Sequence, residues 1–240
     1  TDVGHGRLIG IVLQARMGST RLPGKMLMEM AGRSMLWHNV ERLRRVQRAD
    51  ALVVAVPEGE AEEPLVRHCE AEGWDVFRGS ENDVLGRYYH CALERGFAHT
   101  VRATGDCPLV DPEVVDAMIE LHLREAADYT SSKDEVGCRV PNGTGLEMFS
   151  FAGLERSHKQ GLESHHREHI NEYIIEHREH FCIAAYRESA DKCYPDLDLT
   201  VDTPEDFLFV QQIIEAFAGD HNRLTTAAVI AYCSTQKVRT

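Results

Sequence analysis

The chain has 240 residues, 39 acidic against 26 basic side chains and a formal net charge of −13, a length suited to one α/β domain with a real core. Such acidity excludes general affinity for nucleic acid or an anionic membrane surface, which need a broad basic field; any anionic ligand must be held by a focused cluster of cations. Seven cysteines without a C-x-x-C pair exclude a zinc ribbon and an evident disulfide framework, and with no signal-like start and no apolar run near the ~20 residues of a membrane span, the expected setting is the cytoplasm, with no membrane partner.

The first apolar run, Leu8 to Leu13, predicts a buried strand. It empties into Gln14-Ala15-Arg16-Met17-Gly18-Ser19-Thr20-Arg21-Leu22-Pro23-Gly24-Lys25, a loop suited to a polyphosphate. Its glycines let backbone N–H groups approach closely, its hydroxyls donate hydrogen bonds and its cations neutralise enclosed charge. A solvated basic turn is the plainer alternative. A helix near Met35–Val46, a strand at Ala51–Val56, a helix near Glu62–Glu72, a strand at Trp74–Phe77, a helix at Asp83–Arg95 and a strand at Thr100–Ala103 follow. This alternation predicts βαβ crossovers and a mostly parallel sheet, whose ligands bind at the carboxyl ends of the strands.

After a helix near Pro112–Ala127, the regularity breaks between Ser131 and Thr144, read as a loop or hairpin insertion over the site. Glu147–Phe151, strands near Phe181–Tyr186 and Leu197–Val201, and helices near Pro204–Ala216 and Thr225–Tyr232 complete one domain over residues 1–240. Its irregular part, around 131–180, is a candidate lid or dimerisation insertion.

Two nucleotide signatures fail. The stretch from Gly4 to Gly10 is one residue too long for G-x-G-x-x-G and precedes the first strand. Gly18 to Lys25 approaches a P-loop, but its glycines are wrongly spaced and Met26 stands where a magnesium-binding hydroxyl is needed. Asp106, on a Gly turn after an apolar strand, is suited to Mg²⁺, whereas Asp111 before Pro112 reads as a helix cap. Asp202 reads equally as an N-cap or a metal ligand; paired with Asp106, it can share one ion. His158, His165, His166, His169, His177 and His180 form a histidine-rich stretch. His165 and His169 are spaced to share a helical face as zinc ligands would, but the H-E-x-x-H pattern is absent, and a polar, substrate-contacting or dimer-facing helix fits as well.

The run Ala15-Arg16-x-Gly18-Ser19-Thr20-Arg21-Leu22-Pro23-Gly24-Lys25, followed by Gly32-Arg33-Ser34-Met35-Leu36 and Val40-Glu41-Arg42, resembles the cytidylyltransferases that activate sugar acids, including CMP-Kdo and CMP-sialate synthetases. Glu81 to Tyr89 and Arg167-Glu168-His169 bring it nearer the branch named for spore-coat polysaccharide biosynthesis protein F. The likeness runs from about Leu8 to Phe217 and is weaker in the middle.

The resemblance implies a nucleotide-diphospho-sugar-transferase-like (Rossmann-like) α/β fold, with helices on both faces of a mostly parallel sheet and a small insertion. It implies a cytoplasmic, homodimeric, Mg²⁺-dependent nucleotidyltransferase moving CMP from CTP to an acidic small-molecule acceptor, a sugar acid, phosphonate or phosphate, with release of pyrophosphate. Arg16 and Lys25 would be catalytic; Ala15, Gly18, Ser19, Thr20, Arg21, Arg87 and Thr104 would line the nucleotide; Asp106 and Asp202 would hold the metal. Asn142, Glu147, Arg167 and His169, which flank the irregular segment or lie on the helix after it, are candidates for acceptor contacts. No covalent nucleophile is required, so Cys107 is read as packing. The alternatives are a glycosyltransferase with a D-x-D motif, for which Asp196-Leu197-Asp198 is the candidate, and a non-catalytic nucleotide-binding module.

Overall fold

Strand β1 (Ile9–Gln14), buried on both faces, organises the molecule, here a computed structural model that describes residues 7–133 and 136–236. Ile9, Ile11 and Leu13 enter one apolar cluster and Val12 the other, on opposite faces of the strand. A two-stranded hairpin, β2 (Glu29–Met30) with β3 (Arg33–Ser34), leads into α1 (Met35–Leu43), and β4 (Ala51–Pro57) returns parallel to β1. Helix α2 (Glu63–Ala71), β5 (Asp75–Gly79), α3 (Val84–Arg95) and β6 (His99–Thr104) repeat the pattern.

Helix α4 (Pro112–Arg124) is followed by β7 (Tyr129–Ser131), β8 (Glu147–Ser150), α5 (Phe151–Gln160), the short α6 (Ser164–Glu168) and α7 (Glu172–Glu176), β9 (Ile183–Ala185), α8 (Pro204–Ala216) and α9 (Thr226–Gln236). The sheet order is β5-β4-β1-β6-β8-β7-β9. Only β8 runs antiparallel to its neighbours, β6 and β7. The larger core joins α1, α2, α4 and α8 to one face of the sheet, and the second joins α3 and α5 to the other. This is the two-sided α/β architecture expected from the sequence.

Several helix starts follow their local chemistry. Asp111 accepts hydrogen bonds from the N–H groups of Glu113 and Val114, with Pro112 at the first helical position. Asp83 caps α3 through the N–H of Gly86 at 2.7 Å.

Two expectations change. Leu197–Val201 is not a ladder strand: its N–H and C=O groups bond to Asn142 and Asp106 instead, and the pairing reduces to one bridge between Asn142 and Asp198. The segment expected as an insertion, around 131–180, contains β8, which pairs within the sheet between β6 and β7. The Gly4-His5-Gly6 stretch, and Asp134 and Glu135 of the irregular loop, lie outside the described residues. Among those described, no helix is long and apolar enough to cross a membrane.

The central strand tolerates no side chain at Gly10, where a Cβ would lie 2.1 Å from the ring of buried Phe97. Gly10→Ala is therefore expected to cost about 1–3 kcal/mol by overpacking. It would be read as a lower urea midpoint at unchanged m-value; a midpoint equal to wild type would show that the Phe97 ring moves aside freely.

Candidate functional site

The register of β1 with β6 sets Gln14 beside Thr104, so the loops leaving both strands start side by side at their carboxyl ends. The chain stays paired one residue further, where the N–H of Gly105 donates to the carbonyl of Gln14 at 2.8 Å. A Cβ there would sit 2.5 Å from the sulfur of buried Met26, so a larger residue would have to displace that side chain. The loop after β1 folds on itself: Ser19 and Gly24 donate to the Met17 carbonyl, and the N–H of Met17 donates to the buried Glu62 carboxylate at 2.8 Å. Gly24 takes a left-handed backbone, φ 72°, that turns the chain into Lys25.

These loops and residue 202 enclose a cavity of about 280 Å³. Its lining holds Ala15, Arg16, Ser19, Thr20, Arg21, Lys25, Thr104, Asp106 and Asp202, nine residues expected for the nucleotide, metal or catalytic roles, together with Gln14, Met26, Arg102 and Gly105. Gly18 lies in the same loop. Four cations thus face two carboxylates in a chain of net charge −13, the focused positive site that an anionic ligand requires.

Lys25 is fixed rather than free. Its ammonium donates to the Val201 carbonyl at 2.6 Å and to Asp202 at 3.3 Å, while Arg21 reaches the other Asp202 oxygen at 3.2 Å. The capping role weighed for Asp202 belongs to Thr203. Its hydroxyl accepts from the N–H of Asp206, and Asp206 accepts in return from the N–H groups of Thr203 and Asp202. The side chain of Asp202 is thereby left to face the cavity. The N–H of Val201 donates to the Asp106 carbonyl at 2.8 Å, which ties the two acidic segments together. The neighbouring Cys107 is buried, and that burial pushes its thiol well above its ordinary range, so it is packing and not a ready nucleophile.

The other expected residues lie elsewhere. Asn142 lines a second cavity of about 340 Å³ with Lys133, Asp196 and Asp198. Glu147 does not reach a surface where an acceptor could touch it: only 1 % of it is exposed. One of its oxygens accepts from Arg102 at 2.8 Å and Lys133 at 3.1 Å, and the other from the Tyr129 hydroxyl at 2.7 Å. Arg87 is also buried, with Nε and Nη1 lacking hydrogen-bond partners among the described residues, and it does not line the nucleotide-side cavity. Arg167 is occupied by Asp83 and by the carbonyls of His158 and Gly161, which joins α6 to the start of α3. His169 is exposed at the end of α6 and lines neither cavity.

The helical face proposed for His165 and His169 does not form, because α6 is a single turn ending at Glu168. His165 and His166 instead meet Glu176 at 2.7 Å each. The nitrogen of His166 that accepts the Glu163 N–H leaves its other nitrogen to donate to Glu176, which makes the trio a hydrogen-bonded clip between α6 and α7. The D-x-D acids, Asp196 and Asp198, face the second cavity, away from the lining shared by Asp106 and Asp202.

Arg102 and Lys133 received no role from sequence. A signal for Arg102 exists: a charge inside an apolar strand must find a partner, and the matching anomaly, Glu147, interrupts Leu146 to Phe149 on the strand paired with it. Lys133 sits in an irregular loop and carries no such mark.

A family model described as cytidylyltransferase matches residues 9–224. Spore coat polysaccharide biosynthesis protein SpsF of Bacillus subtilis is 42% identical over 123 residues, covering 50% of this chain and 51% of that protein. The chain thus spans about half the length of the curated relatives it matches. Among solved structures, a cytidylyltransferase from Leptospira borgpetersenii superposes with a TM-score of 0.88 at 29% identity, over 97% of this chain and 96% of the other. The structure of CMP:2-keto-3-deoxy-manno-octonic acid synthetase complexed with CTP superposes at 0.68 with 18% identity, covering 88% of this chain and 99% of that one, a likeness of fold.

Burial alone would raise the Glu147 carboxyl, but Arg102, Lys133 and Tyr129 overcome it and hold it at about 2, below the ordinary 4.5. A carboxyl depressed in the folded state stabilises fully above its unfolded pKa and loses that contribution as pH falls toward the folded value. Stability measured by urea midpoints should therefore fall between pH 4.5 and 2 more steeply in wild type than in Glu147→Gln. Parallel curves would show that the carboxylate is not held as the geometry implies.

Proposed function

We propose, because this chain belongs to the cytidylyltransferase family, that it transfers CMP from CTP to an acidic small-molecule acceptor, a sugar acid or a small phosphonate or phosphate, with release of pyrophosphate. The observation that carries this reading is the cavity at the carboxyl ends of β1 and β6, where Arg16, Arg21, Lys25 and Arg102 meet Asp106 and Asp202. A triphosphate matches that charge pattern. Loop N–H groups and the hydroxyls of Ser19 and Thr20 supply directional donors, and the cations neutralise its charge.

An acceptor oxygen attacks the α-phosphorus, its proton passes to solvent, and the bond from that phosphorus to the bridging oxygen of pyrophosphate breaks, so that pyrophosphate leaves with the electron pair. Arg16 and Lys25 stabilise the charge that gathers on the departing pyrophosphate. Lys25 is suited to this because the Val201 carbonyl and Asp202 already fix its ammonium, so little reorganisation is needed at the moment of reaction. Positioning and electrostatics supply the acceleration.

The two carboxylates on one cavity wall are hard oxygen donors of the kind that Mg²⁺ takes alongside phosphate oxygens. Asp106 and Asp202 would hold the ion, which when bound supplies charge neutralisation to the polyphosphate. The working setting is the cytoplasm, consistent with seven free cysteines, and the working form a homodimer, which sedimentation at enzymatic concentrations would test.

Thermal melts with CTP, GTP, UTP, ATP and nucleotide sugars, each with and without Mg²⁺, test the nucleotide without knowledge of the acceptor. A rise selective for CTP is expected; a rise confined to nucleotide sugars would replace transfer from CTP with glycosyl transfer. With an acceptor in hand, Asp106→Ala, Asp202→Ala and Lys25→Ala should each lower pyrophosphate release by roughly 10²–10³-fold while the melting temperature stays near wild type. Full activity in any one of them would remove that residue from the mechanism.

A further inference from the structure

Outside the nucleotide-side cavity, one group of side chains converges without a part in the transfer chemistry. The Nε2 atoms of His165 and His166 each lie 2.7 Å from the Glu176 carboxylate, on different oxygens. One donor atom from each of the three side chains falls within 4.8 Å of the others. Among the described residues, no other three histidine, cysteine or acidic side chains gather this closely.

The surrounding fold holds the three donors in place. Helices α6 and α7 are five residues each, too short to persist alone, and are anchored by Ile170 and Ile174, fully buried in the smaller core. His166 is buried, its ring edge-on to Tyr173 at 5.4 Å, and the Tyr173 hydroxyl donates to Gln160 at 2.7 Å. The rings of His165 and His166 are centred 4.0 Å apart. His165 and Glu176 keep 46% and 42% of their side chains exposed, so an ion reaches the trio from solvent without opening the core.

Two imidazole nitrogens and a carboxylate oxygen are a donor set for Zn²⁺ and for neighbours such as Co²⁺ and Ni²⁺, whereas Mg²⁺ and Ca²⁺ prefer oxygen alone. Around a tetrahedral Zn²⁺ with bonds of ~2.0–2.1 Å, adjacent donors lie about 3.3 Å apart, so the 2.7 Å contacts need open by only about 0.6 Å. The fourth position is left to water. Binding through Nε2 moves each ring's proton to Nδ1. For His166 this gives up the 3.3 Å contact from the Glu163 N–H, a long hydrogen bond whose loss is small beside the metal–ligand bonds gained.

We propose that His165, His166 and Glu176 form a structural site for Zn²⁺, or a divalent ion of the same donor preference, that locks α6 to α7. The hydrogen-bonded clip is the metal-free form of this site. The trio lines neither cavity, so the ion acts on packing: by holding α6 it steadies Arg167, which reaches from that helix to Asp83 at the start of α3. The site is separate from the oxygen pair Asp106 and Asp202 and does not rest on the transfer reaction proposed above.

The test uses the full chain freed of metal by EDTA and dialysis, titrated with Zn²⁺ against a chromophoric chelator and with Co²⁺ followed by absorption. Wild type should take up Zn²⁺ with an affinity that excess Mg²⁺ does not reduce. Free Zn²⁺ at about ten times its Kd should raise the melting temperature by roughly 3 °C. His165→Ala and Glu176→Gln, at exposed positions that the fold does not need filled, should each weaken Zn²⁺ binding by about tenfold or more and abolish that rise. The Co²⁺ spectrum should lack the intense thiolate charge-transfer band that ligation by the accessible Cys182 or Cys193 would give. Absence of Zn²⁺ uptake, undiminished affinity in either variant or a spectrum dominated by thiolate ligation would overturn the site. Uptake without any rise in melting temperature would overturn its structural role.

Discussion

The register of β1 between its two parallel neighbours is the constraint on which the rest of the molecule depends. Side chains alternate faces along a strand, so a one-residue slip would exchange the residues feeding the two cores. Ile11 and Leu13 would leave the larger cluster and Val12 the smaller one. The same register sets Gln14 opposite both Ala55 and Thr104, so the pattern that fills the interior also decides which loops become neighbours. Packing and site geometry are thus one specification, written in the apolar residues of a six-residue strand.

Charge is organised with similar economy. A chain that is strongly acidic overall gathers Arg16, Arg21, Lys25 and Arg102 around one opening, and three of them are paired before any ligand arrives, Arg21 through Asp202. Lys25 is fixed by a backbone carbonyl and an aspartate, and Arg102 by a carboxylate that is itself out of water. A buried carboxylate without partners would be costly, and removing one partner of such a pair leaves an uncompensated charge. The Arg102–Glu147–Lys133 arrangement therefore favours a specific geometry more than it favours stability.

Much of this was legible in the sequence because it rests on local rules. The alternation of apolar runs with helical patterns gave the two-sided sheet, and α8 begins at Pro204 and ends at Ala216 as its pattern indicates. The loop from Ala15 to Lys25 and the acids Asp106 and Asp202 stand out by composition; the loop and Asp106 meet because β1 and β6 end side by side, and Asp202 joins them through the hydrogen bonds of Val201 to Asp106 and Lys25. Where the reading fell short, the deciding contacts are distant in sequence. Leu197–Val201 has the residues of a strand, but its hydrogen bonds are taken by a loop at Asn142 and by Asp106. Arg167 reads as a free cation until Asp83, 84 residues earlier, claims it. Glu147 reads as a polar lining residue until its burial between two cations is seen.

The hook between Lys25 and the Val201–Asp202 segment closes 177 residues of chain. Loops of that length close late and gain little until their ends meet. The glycine-rich turn precedes the start of α8 in the chain, so its lysine has no anchor until that segment has arrived. A partly made or C-terminally shortened chain would hold a recognisable turn around an incomplete cavity. The opening that gathers the cations is thus a property of the assembled fold and not of the turn alone.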